Sequence, residues 1–495
     1  MRINFEVKND TISENYLESL SLYLQKSCIP NAIEDQMSEF KDKHYILAIS
    51  ILTSLTGPLM VNGVNVALPS MGMELSLNAV ELGWISQAFG LSSAIFLLPL
   101  GRLADVWGIK RLFIIGLSTS IASALIAALS TSFYLLIIAR TIHGISLAVT
   151  YSNAIALLAS GCSAAERGKV LGINAAMVSL GFSIGPTVAG VLTQNLGWRS
   201  VFLFYLILQL PSLLMILTQV KGSWAEARGE RFDTVGAVLF CLTLFCIMYG
   251  FSALLSIEGP WIIIIGFLVL AIFVIWELKT ESPILNINLL TRSRLFAFSN
   301  LTQLIYYCSV YAIPLLLSLY LQYIKGFSPQ DAGFILVAHP LAQAVVSPFA
   351  GRLSDRIQPR VIVSIGIGIV LTGLLMLSSG ISEAALPVII VSLILIGAGH
   401  GLFTSPNTNA VMSSVERKYF GVVASMDVTT RNIGITLSMG IVLVLFSLYM
   451  GTAQIKPEYY LAFVESIKAA FMVFSGLCLC CVIISATRGK LIEDL

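Results

Sequence analysis

Fourteen apolar runs, each long enough to cross a bilayer, leave this chain very few ways to fold. A membrane-spanning helix needs roughly 20 apolar residues. Such runs fall at about 45–68, 82–100, 112–131, 133–158, 169–192, 200–219, 234–254, 260–277, 296–323, 332–350, 361–380, 386–407, 420–449 and 469–487. In hydrocarbon no water satisfies a backbone amide, so each run must close its hydrogen bonds within itself, as a helix. Pro314 is expected to bend the long ninth run. The expected fold is therefore all-α and polytopic. Composition agrees: 57% of residues are hydrophobic and 11% charged, against roughly 25% charged in a soluble domain. A net charge of +2 leaves no basic field for nucleic acid. The eight cysteines are scattered, mostly inside apolar runs; Cys478, Cys480 and Cys481 share one apolar segment and no second CxxC pairs with it, so buried thiols are expected rather than a metal site.

The loops set the orientation. With the N-terminus inside, the inner loops and C-terminal tail carry eighteen Lys and Arg, the outer loops only Arg199, Lys325, Lys456 and Lys468. The positive-inside rule then puts both termini in the cytoplasm of a cell membrane and supports an even number of spans. The polar N-terminal tail has a capping-box pattern from Thr11 to Glu14, and Ile12, Leu17, Leu20 and Leu24 give a loose amphipathic helix. Arg140 and Arg431 fall inside spans four and thirteen, where a charge is costly and marks a functional-site candidate.

One polar hairpin is written twice. GRLADVWGIKR at 101–111 joins spans two and three; GRLSDRIQPR at 351–360 joins spans ten and eleven. With spans seven and eight set aside, these are equivalent positions in two six-span halves. The first copy resembles the signature loop of the major facilitator superfamily, through Gly101, Asp105, Gly108, Lys110 and Arg111; the second keeps Gly351, Asp355 and Arg356. Further matches follow. RTIHG at 140–144 resembles the span-four R-x-x-Q-G, with His143 in place of Gln. ERG at 166–168 resembles the next inner loop. GFSIGPTVAG at 181–190 resembles the span-five antiporter motif, through Gly181, Gly185, Pro186 and Gly190. GWRSVF at 197–202 resembles the opening of span six. DTVG at 233–236 and ESP at 281–283 resemble the flanks of two extra spans. Together they resemble the fourteen-span drug:proton antiporter branch.

The resemblance implies two six-helix bundles plus two extra central helices. The expected segments are an N-terminal tail at 1–44, the first bundle at 45–219, a linker with the two extra spans at 220–295, the second bundle at 296–487 and a tail at 488–495. It implies that the hairpins act as an inner gate, the span-five motif as an outer seal or hinge, and the protein as a monomeric efflux pump coupled to protons. It needs no cofactor and no metal. The physics of the motifs agrees. Glycines permit tight turns and close helix approach, and Pro186 removes a backbone bond.

The remaining intramembrane polar groups are candidates for substrate and proton handling. Arg140 must point into a polar cavity or against backbone carbonyls, and His143 lies one turn on. Asp427 and Arg431 stand at i and i+4 on span thirteen, in the order that favours mutual neutralisation. His339 precedes Pro340, and His400 sits in GAGHG at 397–401; packing or hydrogen bonding is expected of both. In span one Met60 stands where the family often has Asp, while Asn65 and the ALP at 67–69 are kept. The missing acid argues against a dedicated organic-cation pump and for a neutral, zwitterionic or anionic substrate with Arg140 as counter-ion. Asn62, Asn65 and Gln87 would add hydrogen bonds.

Other classes fit worse. There is no HExxH or Walker A sequence, and no polar insert long enough for a nucleotide-binding domain. An importer, or a uniporter or exchanger, of a small anionic or neutral metabolite is the standing alternative. The charge bias yields a direct test of orientation. In intact cells, an amine reagent that cannot cross the membrane is expected to modify Lys456 and Lys468 and to spare Lys110; peptide mass mapping reads the difference.

Overall fold

The computed structural model describes residues 29–160, 167–220, 232–280, 284–285, 293–354, 356–381, 385–415 and 420–488. The tail pattern at 11–24, Glu166, the ESP at 281–283 and Asp355 lie outside the described residues. Among the described residues, fourteen helices are long and apolar enough to span. They are α1 (Ile29–Leu75), α2 (Ala79–Trp107), α3 (Ile109–Ala128), α4 (Phe133–Ser160), α5 (Arg167–Leu196), α6 (Arg199–Thr218), α7 (Thr234–Ser252) and α8 (Gly259–Glu277). Then come α9 (Arg294–Ile324) and α10 (Pro329–Ser354), each built from shorter pieces. The last four are α11 (Pro359–Gly380), α12 (Leu386–Ser413), α13 (Phe420–Met450) and α14 (Tyr460–Thr487). α1–α6 and α9–α14 form two six-helix halves. An even number of crossings puts both ends of the bundle on one face, called here the terminal face; the other is the distal face.

Several helices run past the expected limits. α2 continues through the first hairpin to Trp107, so only Gly108 is left as the turn. Its φ of 106° lies where a side chain would be strained. The second copy makes the same turn differently: Gln358 stays at φ −54° and Pro359 starts α11, its missing N–H costing nothing in a first turn. α9 breaks just before Pro314, at residues 311–312, and ends in a π-helical turn at Tyr320–Ile324.

Prolines inside spans leave backbone carbonyls four residues earlier without a donor. Three such carbonyls are met by side chains of other helices. Pro186 vacates Phe182, whose carbonyl accepts from Asn62 Nδ2 at 3.2 Å. Pro69 vacates Asn65, whose carbonyl accepts from Ser318 Oγ at 2.8 Å. Pro99 vacates Ile95, whose carbonyl accepts from Cys241 Sγ at 3.7 Å. The second bond crosses between the two halves. Beside it Gln322 Nε2 donates to the Val66 carbonyl at 3.0 Å and Tyr323 to that of Pro69 at 3.2 Å.

The distal face is sealed. Gly190 of α5 lies so close to α10 that a β-carbon there would be 2.5 Å from the Pro329 carbonyl oxygen, and one on Gly333 would be 2.4 Å from that of Pro186. Gly181 and Gly185 hold the same helix against α1, with β-carbon positions 2.2 Å from the Leu55 oxygen and 2.7 Å from that of Leu59. Across the molecule Asn78 and Gln454 pair backbones between the distal ends of α2 and α13. The GWR stretch ties α6 to α1 and α3: Trp198 Nε1 donates to Glu74 at 2.7 Å, and Arg199 bonds Glu74 at 2.6 Å and the Ser130 carbonyl at 2.9 Å.

The two extra helices are central in sequence but peripheral in space. α7 packs over the seam between α2 and α13, through Leu91, Leu98, Phe240, Leu244 and Leu437. α8 lies outside it, with only 17% of its apolar window buried. Their ends are fastened at the terminal face. Asp233 caps α7 by accepting from Gly236 N at 2.8 Å and also takes Trp276 Nε1 at 3.1 Å, while Glu277 accepts from Leu285 N at 3.1 Å. Of the cysteines, Cys308, Cys478 and Cys481 are buried, Cys480 is exposed, and none of those described is in a disulfide.

The seal predicts a sharp contrast along one helix. Gly190→Val must displace a backbone carbonyl, and the overpacking is expected to cost about 1–3 kcal/mol. A β-carbon at Gly172 meets nothing within 4 Å, so Gly172→Val should leave the melting temperature nearly unchanged, as thermal denaturation in detergent would show.

Candidate functional site

The polar side chains gather in three places. The first lies in the N-terminal half. Arg140 is 2% exposed. Its Nε donates to the Ile85 carbonyl at 3.2 Å, its guanidinium lies 4.4 Å from the centre of the Phe89 ring, and Nη1 is 3.4 Å from His143 Nδ1. His143 is wedged between Phe89 and Tyr205, with ring centres 5.3 and 5.0 Å away, and its Nε2 has no partner. Behind it Tyr205 bonds Ser120 at 2.9 Å, and Gln209 donates to Tyr205 and to Thr56 at 3.0 and 2.8 Å. Of the two environments open to Arg140, the structure has the carbonyl one, supplemented by an aromatic face. Gly144 makes this possible: a β-carbon there would sit 2.3 Å from the Phe89 oxygen.

The polar residues of spans one and two are also engaged in packing. Asn62 serves the Phe182 carbonyl, Asn65 Oδ1 accepts from Ser86 at 2.9 Å, and Gln87 donates to Ser252 at 3.1 Å. Met60 is fully buried in the main core. In this conformation these side chains join helices rather than line an opening.

The second place is the terminal-face core of the C-terminal half. Arg488, expected in a tail, is fully buried. Its Nη1 donates to Asn407 Oδ1 at 2.7 Å; Asn407 Nδ2 donates to Gln303 Oε1 at 3.1 Å; Gln303 Nε2 donates to the Asp427 carbonyl at 2.6 Å. Burial, with Arg360 nearby, pulls the Arg488 guanidinium down to about 10, so it keeps its charge at neutral pH.

The third place is midway through the molecule, where the halves face each other. Arg431 of α13 reaches across to α4, and its Nη2 donates to the Tyr151 hydroxyl at 3.0 Å. The close ion pair expected with Asp427 is not made, although the two charges lie near enough to act on each other: Asp427, 8% exposed, has an Oδ1 without a hydrogen-bond partner. Tyr307 of α9 stands beside Arg431. His400 of α12 packs edge-on against Tyr307 and against His339 of α10, each with ring centres 5.7 Å apart. Tyr306 stacks on Phe403 at 3.7 Å. Glycines bring these helices together. β-carbons on Gly397 and Gly434 would lie 2.1 Å from the His339 oxygen and 2.5 Å from that of Leu304. The histidines thus pack as expected, yet His400 Nδ1 and the Tyr306 hydroxyl have no partner. This cluster combines one guanidinium, one carboxyl group, phenols and imidazoles at the meeting of four helices of one half with a tyrosine of the other. Such a set can bind a small polar or aromatic molecule and hold a proton.

Sequence reasoning missed Tyr151 and Arg488. A signal for Tyr151 existed: it lies about three turns beyond Arg140, on the same face of the helix. Of the gate residues, Asp105 lies 3.9 Å from Arg102, Lys110 donates to the Val220 carbonyl, and Arg111 and Arg356 are exposed. Gly101 lies in the last turns of α2, and Gly351 packs near Ser405. A separate cleft of about 460 Å³ opens between the distal ends of α2, α4, α7 and α13, lined by Trp84, Ile137, Tyr249, Ser252 and Val444 and by no charged residue.

The profile of the Major Facilitator Superfamily matches residues 50–278 and 300–489. The multidrug resistance protein Stp of Mycobacterium tuberculosis is 30% identical over 389 residues, 76% of this chain and 71% of that one. The riboflavin transporter RibZ of Clostridioides difficile is 24% identical over 443 residues, 88% of this chain and 96% of that one. Among solved structures, a peptide transporter POT in complex with alafosfalin superposes with a TM-score of 0.67 at 14% identity, covering 90% of this chain and 96% of that one. The human organic anion transporter MFSD10 gives 0.60 at 17% identity, covering 90% and 99%. These two likenesses concern the fold alone.

The buried Arg488 chain should be coupled. Asn407→Leu strands the guanidinium and Gln303 and is expected to destabilise by roughly 1–3 kcal/mol. The double variant Asn407→Leu, Arg488→Met should recover part of that loss in the same thermal melt.

Proposed function

The chain belongs to the major facilitator superfamily, in its fourteen-span drug-transporter branch, and from that premise we propose that it exports small organic compounds in exchange for protons. The transport cycle is alternating access: the two halves rock about a site between them, exposed first to one face and then to the other. The terminal face is cytosolic in this reading, because it carries eighteen loop and tail bases against four on the distal loops. The membrane is the cell membrane, and one chain suffices.

One observation carries the reading. The distal face is closed by the span-five glycines, with Gly190 and Pro186 set against Pro329 and Gly333 of the other half. A seal made of backbone packing, supplemented by a handful of hydrogen bonds such as those of Ser318, Gln322 and Tyr323, can part and re-form as the halves rock. Below it lie Asp427 and Arg431, on the helix that faces Tyr151. Asp427 is the proton carrier in this scheme and Arg431 the charge presented to substrate. Arg140 and His143 support the wall of the N-terminal half. The hairpins at Gly101–Arg111 and Gly351–Arg360, with Asp105 and Asp355, act as gates on the cytosolic side. Neutral, zwitterionic or anionic compounds suit a span one without an acid at Met60. The resemblance to a riboflavin transporter favours a second reading, uptake or exchange of a metabolite, on the same site.

Reconstituted protein in liposomes holding a pH-sensitive dye separates these. Under an imposed proton gradient, a panel of cationic, neutral and anionic compounds is expected to give substrate-dependent proton flux for the last two. Asp427→Asn should lower that flux at least about tenfold. Labelled substrate crossing without proton movement would instead favour the exchanger.

A further inference from the structure

We propose that Tyr151, Arg431 and Asp427 form a two-position switch, in which Arg431 bonds either the Tyr151 hydroxyl of the opposite half or the Asp427 carboxylate of its own helix, and the proton on Asp427 decides which. The inference deepens the reading of the chain as a proton-coupled transporter and rests on it.

The geometry is specific. Asp427 and Arg431 are one turn apart on α13, the spacing and order at which an ionised pair closes readily. No other carboxylate among the described residues acts on Arg431. Yet Arg431 turns away to a neutral phenol at 3.0 Å, its guanidinium 5.7 Å from the centre of that ring. It leaves Oδ1 of a buried aspartate without any partner. A guanidinium at this depth would not forgo a carboxylate one turn away for a phenol, because charge–charge attraction in a poorly solvated site exceeds that of a neutral hydrogen bond. The arrangement is the one expected when Asp427 carries its proton.

The surroundings leave Asp427 as the acid that can act. From α9 it meets Gln303, which donates to its backbone carbonyl and also bonds its carboxyl group, and Tyr307, which bonds Arg431. From α12 come His400 and Thr404, whose hydroxyl donates to the His400 carbonyl at 2.9 Å and also meets Tyr307. His339 of α10 lies behind His400. α4 supplies Tyr151.

The consequence is mechanical. The Arg431–Tyr151 bond joins α13 to α4 across the meeting of the halves, on the cytosolic side of the distal seal. When Asp427 releases its proton, the new carboxylate draws Arg431 back along its own helix. Tyr151 is freed and the cytosolic side of the cleft loses a tie, while the seal at Gly190 and Gly333 is untouched. The distally sealed, bridged form described here is therefore the proton-loaded one, and proton release to the cytosol precedes opening toward it. Tyr151 is a positioning residue: it acts through Arg431 and needs no contact with substrate.

Spin labels at Ile115→Cys of α3 and Ile365→Cys of α11, in a cysteine-free background, would report the separation of the two halves at that face; both sites are exposed. In wild-type liposomes the separation is expected to lengthen as the pH rises. Tyr151→Phe should favour the long separation at every pH by about tenfold in population. Asp427→Asn should hold the short one at every pH, and the double variant should follow Tyr151→Phe. A pH response in Tyr151→Phe equal to wild type, or an open Asp427→Asn, overturns the switch. Proton and substrate fluxes on the same liposomes test the parent reading separately. A wild type that moves no protons with any compound sinks the antiporter, whereas coupled flux with an unaltered Tyr151→Phe sinks only the switch.

Discussion

Backbone carbonyls that proline leaves without a donor are the constraint around which this molecule is assembled. In water such a group is solvated; in hydrocarbon it must find a protein donor or the helix is penalised. The chain places prolines deep in its spans and meets the vacated carbonyls from other helices. Asn62 reaches Phe182, Ser318 reaches Asn65, and Cys241 reaches Ile95. Each contact joins different units: two helices of one half, the two halves, and an added helix with the first half. The same prolines that weaken individual helices thus specify which helices become neighbours.

Glycine completes the arrangement. At Gly181, Gly185, Gly190 and Gly333 the absent β-carbon lets backbones touch, so α5 lies against its own half on one flank and against the other half on the next. Such contacts have steep repulsion and little directional bonding, which suits a joint that must open as a unit. The added pair α7 and α8 covers the opposite seam, between α2 and α13, and presents most of α8 to the surroundings. One seam therefore closes by direct packing of the halves, and the other is overlaid by helices that belong to neither.

Much of this was legible in one dimension. Hydropathy counts spans because a bilayer imposes a length, and α8 with its unbroken apolar run was as plain as the core helices. The doubled hairpin exposed the internal repeat. The tight turn at Gly108 could be read from the glycine itself, whereas the helical course of 101–107 could not, since polar residues in a helix that leaves the membrane look like a loop. The candidate site was only half legible. Arg140, Asp427 and Arg431 stood out because charge in an apolar run is conspicuous. Tyr151 did not, because a tyrosine in a span is unremarkable until an arginine of another helix meets it.

The sequence by itself determined the number of helices, their pairing into two halves and the short list of charges that lie within them, because length, periodicity and solvation cost act locally along the chain. Tertiary structure alone decided what each charge does. Arg140 settles on a carbonyl and a ring, Arg488 turns inward to Asn407, and Arg431 passes over the acid on its own helix to reach Tyr151. A long, flexible cationic side chain has several partners within reach, and the choice among them depends on which helices lie beside it, information that no local stretch of sequence contains.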